Sequence, residues 1–193
     1  MTDTISKVQE HYRAAGLTAR IRSALAAIPG EEQALTVAQL APLDQFHTRG
    51  ILATAELAGA AEIEASTRVL DLGCGVGGPA RYLAATFGCH VTGIDLSHDF
   101  IEAGAYLTER CGLADRVKLR IGDALHPPFE DGVFDAVFLL HVAMNIEDRD
   151  ALYAGARRVL ARGGRLVIFD VVRRGGGEIY PVPWAREASA SFL

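Results

Sequence analysis

Three observations predict a doubly wound, mostly parallel α/β sheet for this chain. From Arg68 onward, short apolar runs alternate with amphipathic helical stretches. A glycine cluster follows the first run, at Gly73, Gly75, Gly77 and Gly78, and acidic residues sit at the ends of the first three runs, at Asp71, Asp95 and Asp123. Near-continuous apolar strands joined through helices need a parallel sheet covered on both faces. Right-handed crossovers then leave the doubly wound order as the simplest topology.

The strands are expected at Arg68–Leu72, His90–Ile94, Val117–Ile121, Phe134–Leu140 and Arg165–Val172. Between them, a helix runs from Ala80 to Phe87, and Ser97 caps one reaching Arg110. A third starts at Asp148 and ends at Gly163-Gly164, where positive φ is free of cost. Upstream, the segment to about Glu64 reads as helical. Ile5, Val8 and Tyr12 share one face, Ile21, Leu25 and Ile28 repeat that spacing, and a further helix runs from Thr48 to Ala60. The expected organisation is a helical lid segment over 1–64 and a ligand-binding core over 65–193.

The 193 residues suit one domain, and half of them are apolar. Net charge is −5 and the pI is near 5.7, against a nucleic-acid backbone or an anionic membrane as partner. The first residues lack the apolar core of a secretory signal, and the apolar stretch 133–146 is too short to span a bilayer. Cys74, Cys89 and Cys111 show no C-x-x-C spacing, which favours free thiols and a cytoplasmic location. No metal-ligand spacing links the histidines.

The glycine loop, Val69-Leu-Asp-Leu-Gly-Cys-Gly-Val-Gly-Gly78, turns sharply out of the first strand and lets backbone approach a ligand. Alone it also fits the G-x-G-x-x-G of dinucleotide enzymes. Asp71 discriminates, because a carboxylate beside the loop repels a pyrophosphate and suits a ligand with an ammonium and a sulfonium, as in S-adenosylmethionine. Asp95 suits ribose hydroxyls in either ligand. Asp123 can accept from an adenine amino group. Each aspartate alone also fits a turn or cap.

These motifs, with Gly122-Asp-Ala124, Phe134-Asp-Ala-Val-Phe-Leu-Leu140 and Leu160-Ala-Arg-Gly-Gly-Arg-Leu166, occur in the order found in class I S-adenosylmethionine-dependent methyltransferases, which Val69–Val172 resembles. The resemblance implies that Asp71, Gly73, Gly75 and Gly77 hold the methionine moiety, Asp95 and Leu96 the ribose and adenine face, and Asp123 and Ala124 the adenine edge. Leu43-Asp-Gln-Phe-His-Thr-Arg-Gly50 resembles the helix before the domain in a small-molecule group. Tyr180-Pro-Val-Pro-Trp184 is similar to sarcosine/dimethylglycine-type N-methyltransferases.

The implied reaction moves a methyl group to a small-molecule N, O or C nucleophile, leaving S-adenosylhomocysteine. His141, after the fourth strand, is the candidate general base, with a pocket-shaping histidine as the competing reading. Asn145, Tyr180 and Trp184 are candidates for the acceptor side, and Tyr12, His47 and Arg49 for a lid. The family resembles a seven-stranded fold, whereas about 20 residues follow Val172, with three glycines and two prolines. The last two strands are therefore expected to be absent, leaving an edge that invites a homodimer and an acceptor side partly open to water. A non-catalytic cofactor-binding module, a fragment of a methyltransferase and an NAD-dependent oxidoreductase stay open as alternatives.

Overall fold

The computed structural model describes residues 16–27, 34–176, 180–185, 188 and 191–192. Ile5, Val8, Tyr12 and Ile28 lie outside the described residues. In chain order the elements are α1 (Leu17–Ala26), α2 (Val37–Asp44), α3 (Ile51–Ala60), β1 (Arg68–Leu72), α4 (Gly78–Phe87), β2 (His90–Asp95), α5 (His98–Arg110), β3 (Val117–Ile121), β4 (Phe134–Leu140), α6 (Arg149–Val159) and β5 (Leu160–Phe169). The described strands form one five-stranded sheet, ordered β3-β2-β1-β4-β5 and parallel throughout. No helix among the described residues is long and apolar enough to cross a membrane.

Alternation along the strands sends side chains to two cores. Val69, Val91 and Phe138 pack with Ala80 and Leu83 of α4 and Ala58 of α3. Leu70, Leu72, Val137 and Leu139 pack on the other face with Leu152, Ala156 and Val159 of α6. β1 is buried from Val69 to Leu72, and each such aliphatic side chain contributes ~1.5–3 kcal/mol. Because β1 leads to β2 on one side while β4 lies on the other, the strand order reverses at β1. A crevice therefore opens at the carboxyl ends of β1 and β4.

Local chemistry sets the helix starts. Phe100 N–H donates to Ser97 Oγ at 3.3 Å and Ala151 N–H to Asp148 Oδ1 at 2.9 Å, while Thr36 and Gln39 form a reciprocal capping box.

Three expectations need correction. α6 ends at Val159, not at Gly163-Gly164. Leu160 already pairs with Phe134, and pairing resumes only at Arg165 with Ala136, so 161–164 bulge out of the strand. Gly163 takes φ 80°, and a Cβ on Gly164 would come within 3.0 Å of Asp135 O; the glycines shape a bulge rather than a helix stop. β5 ends at Phe169, short of Val172, because Asp170 accepts from Val171 N–H and Met144 N–H, pulling the backbone out of the ladder. In Leu43–Gly50 only Leu43 and Asp44 are helical. Arg49 and Gly50 both have positive φ, 65° and 51°, which breaks the chain into a turn and delays α3 to Ile51.

The helices before the sheet are fixed by a buried ion pair. Arg81 NH2 lies 2.9 Å from Asp44 Oδ2, both side chains fully buried, and NH1 reaches Thr108 Oγ1 and Gly104 O. A Cβ on Gly78 would stand 2.0 Å from Asp44 O, so α2 and α4 touch backbone to backbone there. Asp44→Ala strands the guanidinium and should cost ~3–5 kcal/mol in urea unfolding, whereas Asp44→Leu with Arg81→Met should cost less than the single change.

Candidate cofactor and active site

The crevice between β1 and β4 deepens into a cavity of about 1080 Å³. Its floor is the glycine loop. Gly73 N–H and Cys74 N–H both donate to Ile94 O, at 2.8 and 3.0 Å, stitching the loop to β2. Gly73 has φ 74°, and a Cβ there would strike Val142 Cγ2 at 2.5 Å. No L side chain fits the position.

Asp95 organises the next wall. Its Oδ2 accepts from Gly75 N–H and its Oδ1 from Ser97 N–H, each at 2.9 Å. One carboxylate thus ties the loop to the cap of α5. Burial raises the Asp95 pKa, and the amides of Ser97, Gly75 and Leu96 oppose that rise. Asp71 has no such support. It is 1% exposed, its Oδ2 has no hydrogen-bond partner among the described residues, and burial, then the charge of Asp95, pushes its pKa up to about 7. A buried carboxyl without a donor is costly, so this floor fits a ligand that brings a cation or N–H groups.

The cavity also gathers Leu96, Asp123 and Ala124. Asp123 Oδ1 accepts from Leu125 N–H at 2.9 Å and its Oδ2 lies 3.2 Å from His126 Nδ1, a turn that fixes the carboxylate at the wall. Among the described residues no group of three His, Cys, Asp or Glu is placed to hold a metal ion.

On the β4 side, His141 lines the cavity with φ 57°, its N–H bound to Phe169 O at 2.7 Å. Its pKa is lowered, chiefly by burial; the Asp170 carboxylate pulls the other way and His47 adds to the lowering. The imidazole is therefore neutral at pH 7 and able to take a proton. A short 3₁₀ turn, Ala143–Asn145, follows and brings Asn145 to the wall. Trp184 closes the far side, its indole N–H on Ser191 Oγ at 3.0 Å, while Phe192 N–H bonds Met144 O. This tail covers part of the side that the sequence suggested would be open.

Not every expected residue converges. Gly77 caps α4 at φ 78° and faces Leu119 and Arg81, outside the cavity lining. Arg49 is exposed and paired with Glu56, and Tyr180 does not line the cavity. Tyr12 lies outside the described residues. Phe46, which belongs with His47 and Arg49 to the expected lid stretch, lines the cavity with its ring stacked on Phe100 at 6.5 Å; sequence reasoning missed Phe100, Asp44, Glu147 and Asp148, which line it too. Asp44 stood inside the 43–50 segment, and the two acids follow Asn145 after Ile146. No periodicity marked any of them.

Comparison with known proteins agrees with this geometry. The chain is 37% identical over 133 residues to methyltransferase GfsG of Streptomyces halstedii, spanning 69% of this chain and 48% of that one. Among solved structures, the [4+2]-cyclase SpnF aligns with TM-score 0.63 and 31% identity, covering 70% of this chain and 49% of that chain. Geranyl diphosphate methyltransferase in complex with S-adenosylmethionine aligns with TM-score 0.56 and 30% identity, covering 61% and 49%. Further curated relatives include a glycine/sarcosine/dimethylglycine N-methyltransferase, a tocopherol O-methyltransferase and a sterol 24-C-methyltransferase, so kinship leaves the acceptor atom open. The chain spans about half the length, or less, of the relatives it matches. Residues 70–168, about half of the chain, match the methyltransferase domain family, and the chain belongs to it, on the class I S-adenosylmethionine-dependent fold.

Proposed function

We propose that this chain binds S-adenosylmethionine in the β1/β4 crevice and transfers its methyl group to a small-molecule nucleophile held between His141 and Trp184. The observation that carries the reading is the buried Asp71 beside the glycine loop, its Oδ2 without a donor among the described residues, with Asp95 and Asp123 at the next two strand ends. Asp71 and the close-approaching loop backbone at Gly73 and Gly75 would take the methionine moiety, Asp95 and Leu96 the ribose and adenine face, and Asp123 and Ala124 the adenine edge. Gly77 would act one step removed, by shaping the start of α4.

Bound S-adenosylmethionine supplies an electrophilic methyl on a cationic sulfur. The protein's part is to align the acceptor and exclude water, an effect of up to roughly 7–11 kcal/mol in the best model systems. His141 would remove the proton of a hydroxyl, ammonium or acidic carbon. Asn145 and Trp184 would position the acceptor, with the Trp184 ring favouring cationic groups. His47 and Phe46 would close the cofactor side, within a lid spanning 1–64 over a core spanning 65–193. Tyr12, Arg49 and Tyr180 would contribute by supporting these segments.

The compartment is proposed to be the cytosol, on the three free thiols. The outer edge of β5, with Leu166 and Ile168 exposed, would pair with a second copy to form a homodimer. A second reading, cofactor binding without methyl transfer, is favoured by the alignment with a protein described as a [4+2]-cyclase. An NAD-dependent oxidoreductase is disfavoured by Asp71, a buried carboxyl that a cationic ligand can ionise and pair with and a pyrophosphate cannot.

Four outcomes are expected. S-adenosylhomocysteine at a hundred times its Kd should raise Tm by roughly 5–10 °C and change the emission of the single tryptophan, Trp184, while NAD does neither. A response to NAD alone reverses the assignment. In the free protein Asp71 keeps its proton up to about pH 7, so a cationic ligand must displace it. Affinity for S-adenosylhomocysteine should then rise from pH 6 to pH 8 with proton release, and Asp71→Asn should flatten that slope. Without ligand, native Asp71 holds a proton that the unfolded chain gives up near pH 4, so its contribution to stability falls as pH rises from about 4 to about 7; Asp71→Asn removes that fall too. With a panel of labelled amines, phenols and sugars, His141→Gln should lower turnover ~10²-fold or more with cofactor affinity retained. Equal losses in both would take His141 out of the mechanism.

A further inference from the structure

Three rings meet at the β4 end of the cavity. His47 and His141 stand with centroids 6.0 Å apart at 62°, His47 and Phe169 at 6.1 Å and 89°, and His141 and Phe169 at 5.3 Å and 35°. His47 comes from the turn between α2 and α3, far from the other two in sequence. It is 9% exposed, and its position is over-determined. Its Nε2 lies 3.1 Å from both Gln45 Oε1 and Thr54 Oγ1, Thr54 donates to Gln45 Oε1 at 2.8 Å, and its Nδ1 is 3.3 Å from Thr48 O. Thr54 is fully buried in α3, so the cluster is anchored to a helix.

His141, by contrast, sits in the left-handed region at φ 57°. Such a residue stays there when its surroundings hold it. Phe169 supplies one restraint, through its carbonyl and its ring; His47 supplies the other.

We propose that His47 is a positioning residue for His141: held by Gln45, Thr48 and Thr54, it wedges the His141 imidazole against Phe169 and keeps it turned to the cavity. The inference rests on the reading of His141 as the base for methyl transfer. It assigns Gln45 and Thr54 a purpose as well, since they fix the wedge rather than touch a ligand.

The groups facing His141 are few and opposed. Asp170, just after β5, favours its protonated form, and His47, before α3, disfavours it; Asp71, Glu147 and Asp148 line the same cavity from β1 and the β4–α6 connection. Burial acts in the same direction as His47. Burial holds the His47 pKa below its ordinary value as well, so the wedge acts on His141 chiefly by keeping water out, and removing it makes His141 easier to protonate.

Long-range proton–nitrogen NMR titration of the imidazoles in the 193-residue chain tests this, with calorimetric binding of S-adenosylhomocysteine on the same samples. In His47→Ala the His141 midpoint should rise by roughly half a pH unit, as water reaches a ring that burial now holds below its ordinary value. His47→Phe retains a ring against Phe169 and should give a smaller rise. Thr54→Val, which cuts one anchor and leaves the ring, should move the His141 resonances and not those of exposed His90 and His126. If the Ala variant does not fold, the Phe and Val variants decide. A His141 midpoint and ring resonances identical to wild type in the folded variants would overturn the positioning role. Absence of S-adenosylhomocysteine binding by the wild-type chain would overturn the functional reading instead, and the titration would still decide what His47 does to His141.

Discussion

Two carboxylates at the tips of adjacent strands govern this cavity, and they are treated oppositely. Asp95 is satisfied, its two oxygens taken by the amides of Gly75 and Ser97, and through them it fixes both the glycine loop and the start of α5. Asp71, one strand away, is buried with an oxygen that nothing in the described chain serves. Satisfying Asp71 from within would take a donor from the loop, and the loop amides of Gly73 and Cys74 already go to Ile94 O. Assembling the loop therefore leaves Asp71 to be completed by something from outside. A cation-bearing nucleoside meets that need where a pyrophosphate does not.

The rest of the fold serves this arrangement. The reversal of strand order at β1 creates the crevice, and the two cores on either face of the sheet hold β1 and β4 rigid beneath it. The Asp44–Arg81 pair docks α2 onto α4 and so brings the Phe46–His47 turn over the loop. At the far side the tail around Trp184 is pinned to Met144 and Ser191. Strand tips supply the fixed charges, and loops on both sides supply the walls.

Much of this was legible in the residues. β1 and β4 follow apolar runs, because parallel strands buried on both faces record themselves as such runs, whereas the edge strand β3 shows only the alternation Val117-Lys-Leu-Arg-Ile121. The loop and its three aspartates were legible because they are local. What stayed hidden was set by distant contacts. Gly163-Gly164 reads as a helix stop, and only pairing with Phe134 and Ala136 makes it a bulge. Gly77 belongs to the same glycine motif as Gly73 and Gly75, yet Leu119 and Arg81 occupy the space beside it. The partner of Arg81 is 37 residues away, and the contact of His47 with His141 joins the turn before α3 to the end of β4; no periodicity encodes either.

The most direct measurement is the change in backbone amide resonances when S-adenosylmethionine is added to the nitrogen-labelled chain. Saturable shifts should concentrate at Gly73–Gly75, at Leu96 and Ser97, and at Asp123–Leu125, three segments distant in sequence that meet only in this crevice. Shifts scattered over the surface, or none at these three segments at saturating cofactor, would contradict the account.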